Sequence, residues 1–312
     1  MNEQSHNVEQ LQQMFRHITM WRRGAERAPH KPLLLLYALG KCQRGEPRAI
    51  PYTEVDPALQ QLLRAFGPPR RSYHSEYPFW RLQQDGIWEL QGAEHVVPRQ
   101  SNNDAKKSEL LKYEVSGGFP TPIYTVLRDH PRLLVEIAAD LLECNFPESI
   151  HEDIVDAVGL NLQVETITRA TRDPQFRVRV LTVYGYTCAI CGFDVRLGDT
   201  ALGVEAAHIK WYQAGGPNIE TNGLALCILH HKLFDRGAFT IALNRQVQVS
   251  EYAYGATGFT EWLLAYHGKP IRPPQSPHYL PKEEYLHWHM QQVFRGPARH
   301  LVGEDSSRRR ED

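Results

Sequence analysis

The sequence predicts an α+β protein in two parts. The first is a mostly helical N-terminal domain of winged-helix character, and the second is a small C-terminal domain built on a cysteine-pinned hairpin and a helix. Three observations predict this. The chain has 312 residues, enough for two separate cores. Apolar residues in its first half recur at helical spacing. Its second half carries a C-x-x-C pair, Cys188 and Cys191, and a C-x-x-H pair, Cys227 and His230. Two such pairs can close a tetrahedral structural zinc site with no open position.

Taken in order, 8–18 is apolar at Val8, Leu11, Phe15 and Ile18, which is helix spacing. Arg22, Arg23, Arg27 and Lys31 bracket the stretch Ala28-Pro29-His30-Lys31-Pro32. The apolar run 33–39 is too short to cross a bilayer and is expected to be a buried helix. A turn is expected over 45–51. A second helix then spans 52–66, with Val55, Leu59, Leu62, Leu63 and Phe66 on one face. The stretch 68–82 mixes arginines with aromatics, as DNA-facing surfaces do. Asp85-Gly86 is a turn signal before a short strand at 87–90. Ser101-Asn102-Asn103-Asp104 reads as a cap for a helix from Ala105, near Lys106, Lys107 and Lys112. A loop is expected at 117–122, a helix broken at His130-Pro131 over 126–144, and a further helix over 150–158.

The resulting boundaries are an N-terminal domain at 1–160, a linker at 161–168, a C-terminal domain at 169–296 and a disordered tail at 297–312. Arg169, Arg172, Arg177 and Arg179 lie in or beside a helix entering the C-terminal domain, either as a solvated face or as phosphate contacts. Past Asp235 a hairpin is expected over 239–249, a short helix over 258–266 and an extended proline-rich run over 270–281. A last helix over 285–294 is expected to carry His287 and His289 on its surface.

The net charge is −1, so global electrostatics do not announce a polyanionic partner, and any such surface must come from local basic clusters. Of five cysteines, Cys42 and Cys144 stand apart from the knuckles and read as small buried apolar residues. With no disulfide framework in view, a reducing cytoplasm is expected. No signal peptide and no long uncharged apolar run is seen, so neither secretion nor a membrane span is expected.

Once the knuckle ligands are assigned, His208, Asn222 and His231 remain, in that order. Together with Asn222-Gly-Leu-Ala-Leu-Cys227 and His230-His231-Lys-Leu-Phe-Asp235, they make the stretch resemble the HNH nucleases, the zinc-knuckled ββα-metal family. The resemblance implies a DNA endonuclease. His208 would be the general base, because a neutral imidazole titrates near the working pH. Asn222 would lock that imidazole or brace the loop. A divalent cation, Mg2+ or Mn2+, would stabilise the developing charge. His231 and Asp235 are four apart, so a helix puts them on one face as paired metal ligands. Many members carry Asp or His where this chain has Ala207. Either Asp235 compensates for that or Glu205 reaches round.

The N-terminal half resembles the sulfur-binding domain of phosphorothioate-dependent restriction endonucleases. The resemblance is carried by Ala28-Pro29-His30-Lys31-Pro32-Leu33-Leu34-Leu35-Leu36, by Tyr73-His74-Ser75-Glu76-Tyr77-Pro78-Phe79-Trp80-Arg81-Leu82 and by the loop before Asp104. It implies double-stranded DNA with phosphorothioate linkages as the partner. Sulfur is larger and less hydrated than oxygen, so a dent lined by the Tyr77 ring and Pro78 favours it. His30 and Lys31 would supply charge or hydrogen bonds to the remaining oxygen. One such apolar contact discriminates by about 1–3 kcal/mol, so base contacts must add to it. Arg70, Arg71, Arg81, Asn102 and Asn103 are the candidates, since a bidentate base contact contributes about 1–3 kcal/mol. The alternative for Tyr77-Pro78 is a turn entering a buried aromatic strand. Two other functions stay open: a nuclease reading another modification such as methylcytosine, and a DNA-binding protein whose HNH module is only a zinc-held scaffold. A homodimer is left open as well, because two nicking sites would ease a double-strand break.

Overall fold

The computed structural model describes residues 8–18, 29–162 and 174–300. Arg22, Arg23, Arg27, Ala28, Arg169 and Arg172, the linker from 163 onward and the tail from 301 lie outside the described residues. The chain divides into two compact units, Met1–Arg169 and Ala170–Asp312.

The first unit is built on helix α2. Its order begins α1 (Val8–Arg16), α2 (His30–Gln43), β1 (Ile50–Pro51), α3 (Tyr52–Phe66), α4 (Glu76–Arg81) and β2 (Glu89–Gln91). It continues with α5 (Lys107–Lys112), β3 (Ser116–Gly118), α6 (Thr121–Asp129), α7 (Pro131–Asn145) and α8 (His151–Val158). Helix α2 is apolar all round because it is covered all round. Leu33, Leu34, Leu35, Leu36 and Leu39 are fully buried, and α3, α4, α6, α7 and α8 pack against it. Helix α6 gives way to α7 at Pro131, which has no N–H to donate to the previous turn and instead starts the next helix.

Several expectations are corrected here. Residues 117–118 belong to β3, the middle strand of an antiparallel sheet ordered β1-β3-β2, with Gly117 paired to Ile50 and Leu90. A Cβ on Gly117 would sit 2.6 Å from Trp88 Nε1, and one on Gly118 would sit 1.9 Å from the Arg48 carbonyl oxygen. The glycines that suggest a loop are thus what lets this strand approach its neighbours. Tyr77 and Pro78 lie in helix α4, so they do not open a strand; proline is tolerated in a first helical turn. Asp104 does not cap α5, whose N-cap is Lys106. Cys144 is exposed, whereas Cys42 is buried.

The second unit holds α9 (Pro174–Val183), the hairpin β4 (Arg196–Leu197) and β5 (Thr200–Ala201), β6 (Val204–His208), β7 (Gly223–Cys227) and α10 (Ile228–Asp235). After these come the hairpin β8 (Phe239–Ile241) and β9 (Val247–Val249), then α11 (Thr257–Trp262) and α12 (Glu283–Gln292). Strands β6 and β7 pair antiparallel from Val204↔Cys227 to His208↔Gly223. Strand β7 is buried throughout and runs straight into α10 at Cys227, while α9 packs across both strands. This ββα core positions the site. His289 is not a surface residue. It is fully buried, stacks on Phe234 at 3.7 Å and bonds Thr240 Oγ1 and the Phe234 carbonyl. His287 is exposed. Among the described residues no helix is long and apolar enough to cross a membrane.

Candidate nuclease and DNA-reading sites

Cys188, Cys191, Cys227 and His230 converge. Their ligand atoms all lie within 4.8 Å of one another. Cys191 Sγ is 3.9 Å from Cys227 Sγ, and His230 Nδ1 is 3.8 Å from Cys188 Sγ and 3.1 Å from Cys227 Sγ. Ligands at ordinary Zn–S and Zn–N lengths sit about 3.6–3.8 Å apart on a tetrahedron, so the donor set fits zinc. The knuckle is shaped by Gly192, at φ +78°, whose N–H returns to the Cys188 carbonyl at 2.9 Å. His230 is aimed from behind: its Nε2 meets the Trp262 carbonyl at 2.8 Å, which leaves Nδ1 facing the sulfurs. Hydrogen bonds from Cys191 and Cys227 hold the Cys188 thiol well below its ordinary range.

His208 ends β6. The Phe176 ring of α9 stacks on its imidazole, with centroids 3.9 Å apart and planes 13° apart. Its Nε2 lies 2.8 Å from Asn218 Oδ1. Asn222 is fully buried and does the second of the two tasks expected of it. Its Oδ1 accepts from Lys210 N at 2.9 Å, and its Nδ2 donates to the Lys210 and Pro217 carbonyls at 3.0 Å, bracing the loop between β6 and β7. Nothing in local spacing distinguishes Asn218, because its contact depends on the loop folding back.

His231 lies between two carboxylates, with Nδ1 2.7 Å from Glu205 Oε2 and Nε2 3.1 Å from Asp235 Oδ2. Burial pulls its pKa down, but Asp235 and Glu205 outweigh that and leave it pushed up to about 9. The His231 hydrogen bond holds Glu205 below the usual carboxylate range. Asp235 is buried, and its Oδ1 accepts from the Trp211 indole at 2.9 Å. One face of α10 therefore carries His231 and Asp235 together, with Asp235 behind the imidazole and the half-exposed Glu205 carboxylate in front. Glu205 and His231, the ligands expected for a divalent cation, thus meet each other directly, and to hold a metal His231 would give up the proton it shares with Glu205. Arg177 and Arg179 are spent partly on carbonyls, those of Val204 at 3.3 Å and Asn218 at 2.7 Å.

In the first unit Tyr77 is a hub. His74 stacks on its ring at 4.9 Å, and the guanidinium carbons of Arg81 and Arg99 lie 5.0 and 5.6 Å from its centroid. Arg99 also donates to Tyr77 Oη at 3.3 Å. Pro78 is buried beside it. Glu76, also buried, ties the group together through His74 at 3.1 Å and Arg99 at 3.7 Å. Arg81 grips the buried Asp104 bidentately at 2.6 and 2.5 Å, which anchors the 99–104 loop. Asn102 Oδ1 accepts from Asp104 N at 3.2 Å, and Asn103 sits at φ +56° with its carbonyl on Trp80 Nε1. Arg70 and Arg71 are exposed.

Burial, then the charges of Arg70, His74 and Arg81, hold the His30 pKa down to about 4, so it faces this cluster as a neutral ring. Lys31 pairs with the buried Asp85 at 2.5 Å. The structure thus draws Tyr77, Pro78, Arg81 and His30 toward one basic, aromatic neighbourhood, with His74 and Arg99 added to it.

The family model of the ScoMcrA-like DNA sulfur-binding domain matches residues 8–163, and that of an HNH endonuclease matches residues 188–242. Among solved structures, the sulfur binding domain of ScoMcrA complexed with phosphorothioated DNA is 24% identical, covering 48% of this chain and 94% of that one, with a TM-score of 0.43. The sulfur binding domain of SprMcrA complexed with phosphorothioated DNA is 24% identical, covering 49% and 94%, with a TM-score of 0.42. The type IV phosphorothioation-dependent restriction endonuclease ScoMcrA is 22% identical with a TM-score of 0.41; the alignment covers 56% of this chain but only 38% of that one. No curated protein matches. Matched over half its length by the first model and carrying an HNH endonuclease domain behind it, the chain belongs to the ScoMcrA-like DNA sulfur-binding domain family.

Proposed function

We propose that this protein is a restriction endonuclease that recognises phosphorothioated double-stranded DNA and hydrolyses phosphodiester bonds nearby. The observation that carries the reading is the pairing in one chain of a DNA sulfur-binding domain at 8–163 with an HNH domain at 188–242. In the first unit, the Tyr77 ring and the buried Pro78 supply the apolar contact that favours sulfur. The neutral His30 supplies a hydrogen bond rather than charge. Cationic contacts to phosphates and base edges fall to Arg99, Arg70 and Arg71, with Arg81 and Asp104 holding the loop that presents Asn102 and Asn103.

In the second unit His208 takes the proton of the attacking water, oriented by the Phe176 stack. Asn222 keeps the intervening loop in register. Asp235 fixes the His231 ring, and His231 and Glu205 are the residues that would hold Mg2+ or Mn2+. When bound, such a cation stabilises charge developing on the phosphate and the leaving oxygen. Zinc at Cys188, Cys191, Cys227 and His230 pins the hairpin to the helix.

The test is cleavage of matched plasmids with and without phosphorothioate linkages, in Mg2+ and in Mn2+. Cutting confined to the modified plasmid, and lost in His208→Ala while DNA binding persists, is expected. Equal cutting of both plasmids would remove the recognition half of the reading. Binding without any cutting would favour the scaffold alternative.

A further inference from the structure

The order His-Asn-His singles out Asn222 as the partner of the base, but the Asn222 amide is spent on Lys210 and Pro217. The amide that meets His208 belongs to Asn218. We propose that Asn218 is the positioning residue of His208: it keeps the proton on Nε2, so that Nδ1 is the nitrogen that accepts the proton of water. This rests on the nuclease reading above.

A carbonyl oxygen only accepts hydrogen bonds, so with Asn218 Oδ1 2.8 Å from Nε2 that nitrogen must carry the hydrogen in the neutral ring. The lone pair is then on Nδ1. In the reaction an O–H bond of water breaks and its proton passes to Nδ1, giving an imidazolium. The oxygen left behind forms a new bond to phosphorus, and the leaving oxygen departs with its electron pair. A neutral imidazole without a partner populates both tautomers and can turn over about its Cβ–Cγ bond. The parallel Phe176 ring confines the plane of His208 but does not distinguish its two edges, because stacking is indifferent to which nitrogen lies where. The bond to Asn218 Oδ1 does distinguish them, since it meets Nε2 alone.

Asn218 is itself held from several sides. Arg179 Nη2 donates to its carbonyl at 2.7 Å, and Arg179 Nε pairs with Glu220 at 3.2 Å. Asn222 Nδ2 grips the preceding carbonyl, that of Pro217, at 3.0 Å. The loop also folds so tightly back on its own start, just past β6, that a Cβ on Gly216 would lie 1.8 Å from the Lys210 carbonyl oxygen. The conformation that delivers Oδ1 to His208 is thus built into the loop backbone.

The experiment reads the ring directly and the reaction separately. In 15N-histidine-labelled full-length protein, the His208 signals are assigned by their loss in His208→Gln. Above its titration the wild-type ring is expected to show the Nε2–H tautomer. Asn218→Ala should mix the tautomers. It should also lower single-turnover cleavage of a phosphorothioated duplex at saturating protein by about 10–100-fold with unchanged Kd, short of the loss from deleting a general base. Asn218→Asp keeps an acceptor oxygen and should restore the Nε2–H tautomer and most of the rate. A wild-type ring protonated on Nδ1, or an Asn218→Ala ring with unchanged tautomer, overturns the proposal. If the wild type cuts no DNA, the nuclease reading fails, while the tautomer of His208 still decides whether Asn218 holds it.

Discussion

The indole N–H of Trp211 donates to Asp235 Oδ1 at 2.9 Å, and the other oxygen of Asp235 meets His231 Nε2 at 3.1 Å. A residue just past β6 thereby orients a carboxylate on the last turn of α10. Trp211 is 2% exposed and packs edge-on against Trp288. Trp211→Phe keeps much of that packing while removing one of the donors to a buried carboxylate, which costs about 1–3 kcal/mol. The expected outcome is a lower melting temperature together with weaker activation by Mg2+ or Mn2+ at limiting metal. Metal titrations of cleavage alongside thermal melts check this. An unchanged metal dependence would make Trp211 a packing residue only.

A zinc ion at Cys188, Cys191, Cys227 and His230 would hold the second unit at the point where β7 becomes α10. In zinc-finger peptides such sites contribute roughly 10–16 kcal/mol of apparent binding energy, which appears as folding energy. Cys188→Ser should therefore lose bound zinc and the cooperative melting of the C-terminal unit. A strong chelator should do the same to the wild type. Metal content by atomic emission, read against calorimetry, checks it; full zinc occupancy in the variant would remove Cys188 from the ligand set.

His30 makes the first unit sensitive to acid. Its pKa is about 4 in the folded state, below the ordinary value of 6.5, because burial disfavours the charged ring. The unfolded chain therefore binds more protons between those two values. This contribution to stability is complete above pH 6.5, falls as the pH drops toward 4 and is flat below that. His30→Gln should flatten that part of the stability curve. Denaturant midpoints across pH 4–7 for the two proteins provide the comparison.

Tyr77 carries the discrimination for sulfur in the proposed function. Tyr77→Ala should weaken binding to phosphorothioated duplex by about 10–200-fold, the size of one apolar contact, with a much smaller effect on plain duplex. Because His74, Arg81 and Arg99 all lean on this ring, Tyr77→Phe serves as the companion. It keeps the ring faces, loses only the Arg99 bond, and should retain most of the preference. Equal losses on both duplexes would assign Tyr77 to packing. Parallel binding titrations at one fixed salt concentration decide it, because phosphate contacts are salt-dependent.

Local patterning carried the helices well. The apolar faces of α1 and α3, the break at Pro131 and the buried run of α2 follow from spacing and from proline chemistry, both properties of neighbouring residues. The cysteine and histidine knuckles are legible for the same reason, since the spacing of metal-ligating side chains is encoded as C-x-x-C and C-x-x-H. Strand β3 is not legible in the sequence, because its Gly117-Gly118 pair looks like a loop until Trp88, Phe79 and Arg48 are in place around it.

The sequence by itself determined which residue types could do the proposed chemistry: His208 as the proposed base, His231 as a proposed metal ligand, the four knuckle residues and the ring at Tyr77. Only the tertiary structure decided their partners. It put Asn218 rather than Asn222 against His208, set Asp235 behind His231 on Trp211, buried His289 and turned Lys31 onto Asp85. The physical reason is range. Helical periodicity and knuckle spacing act over a few residues, whereas a hydrogen bond from a loop to a strand end exists only once the chain has folded back.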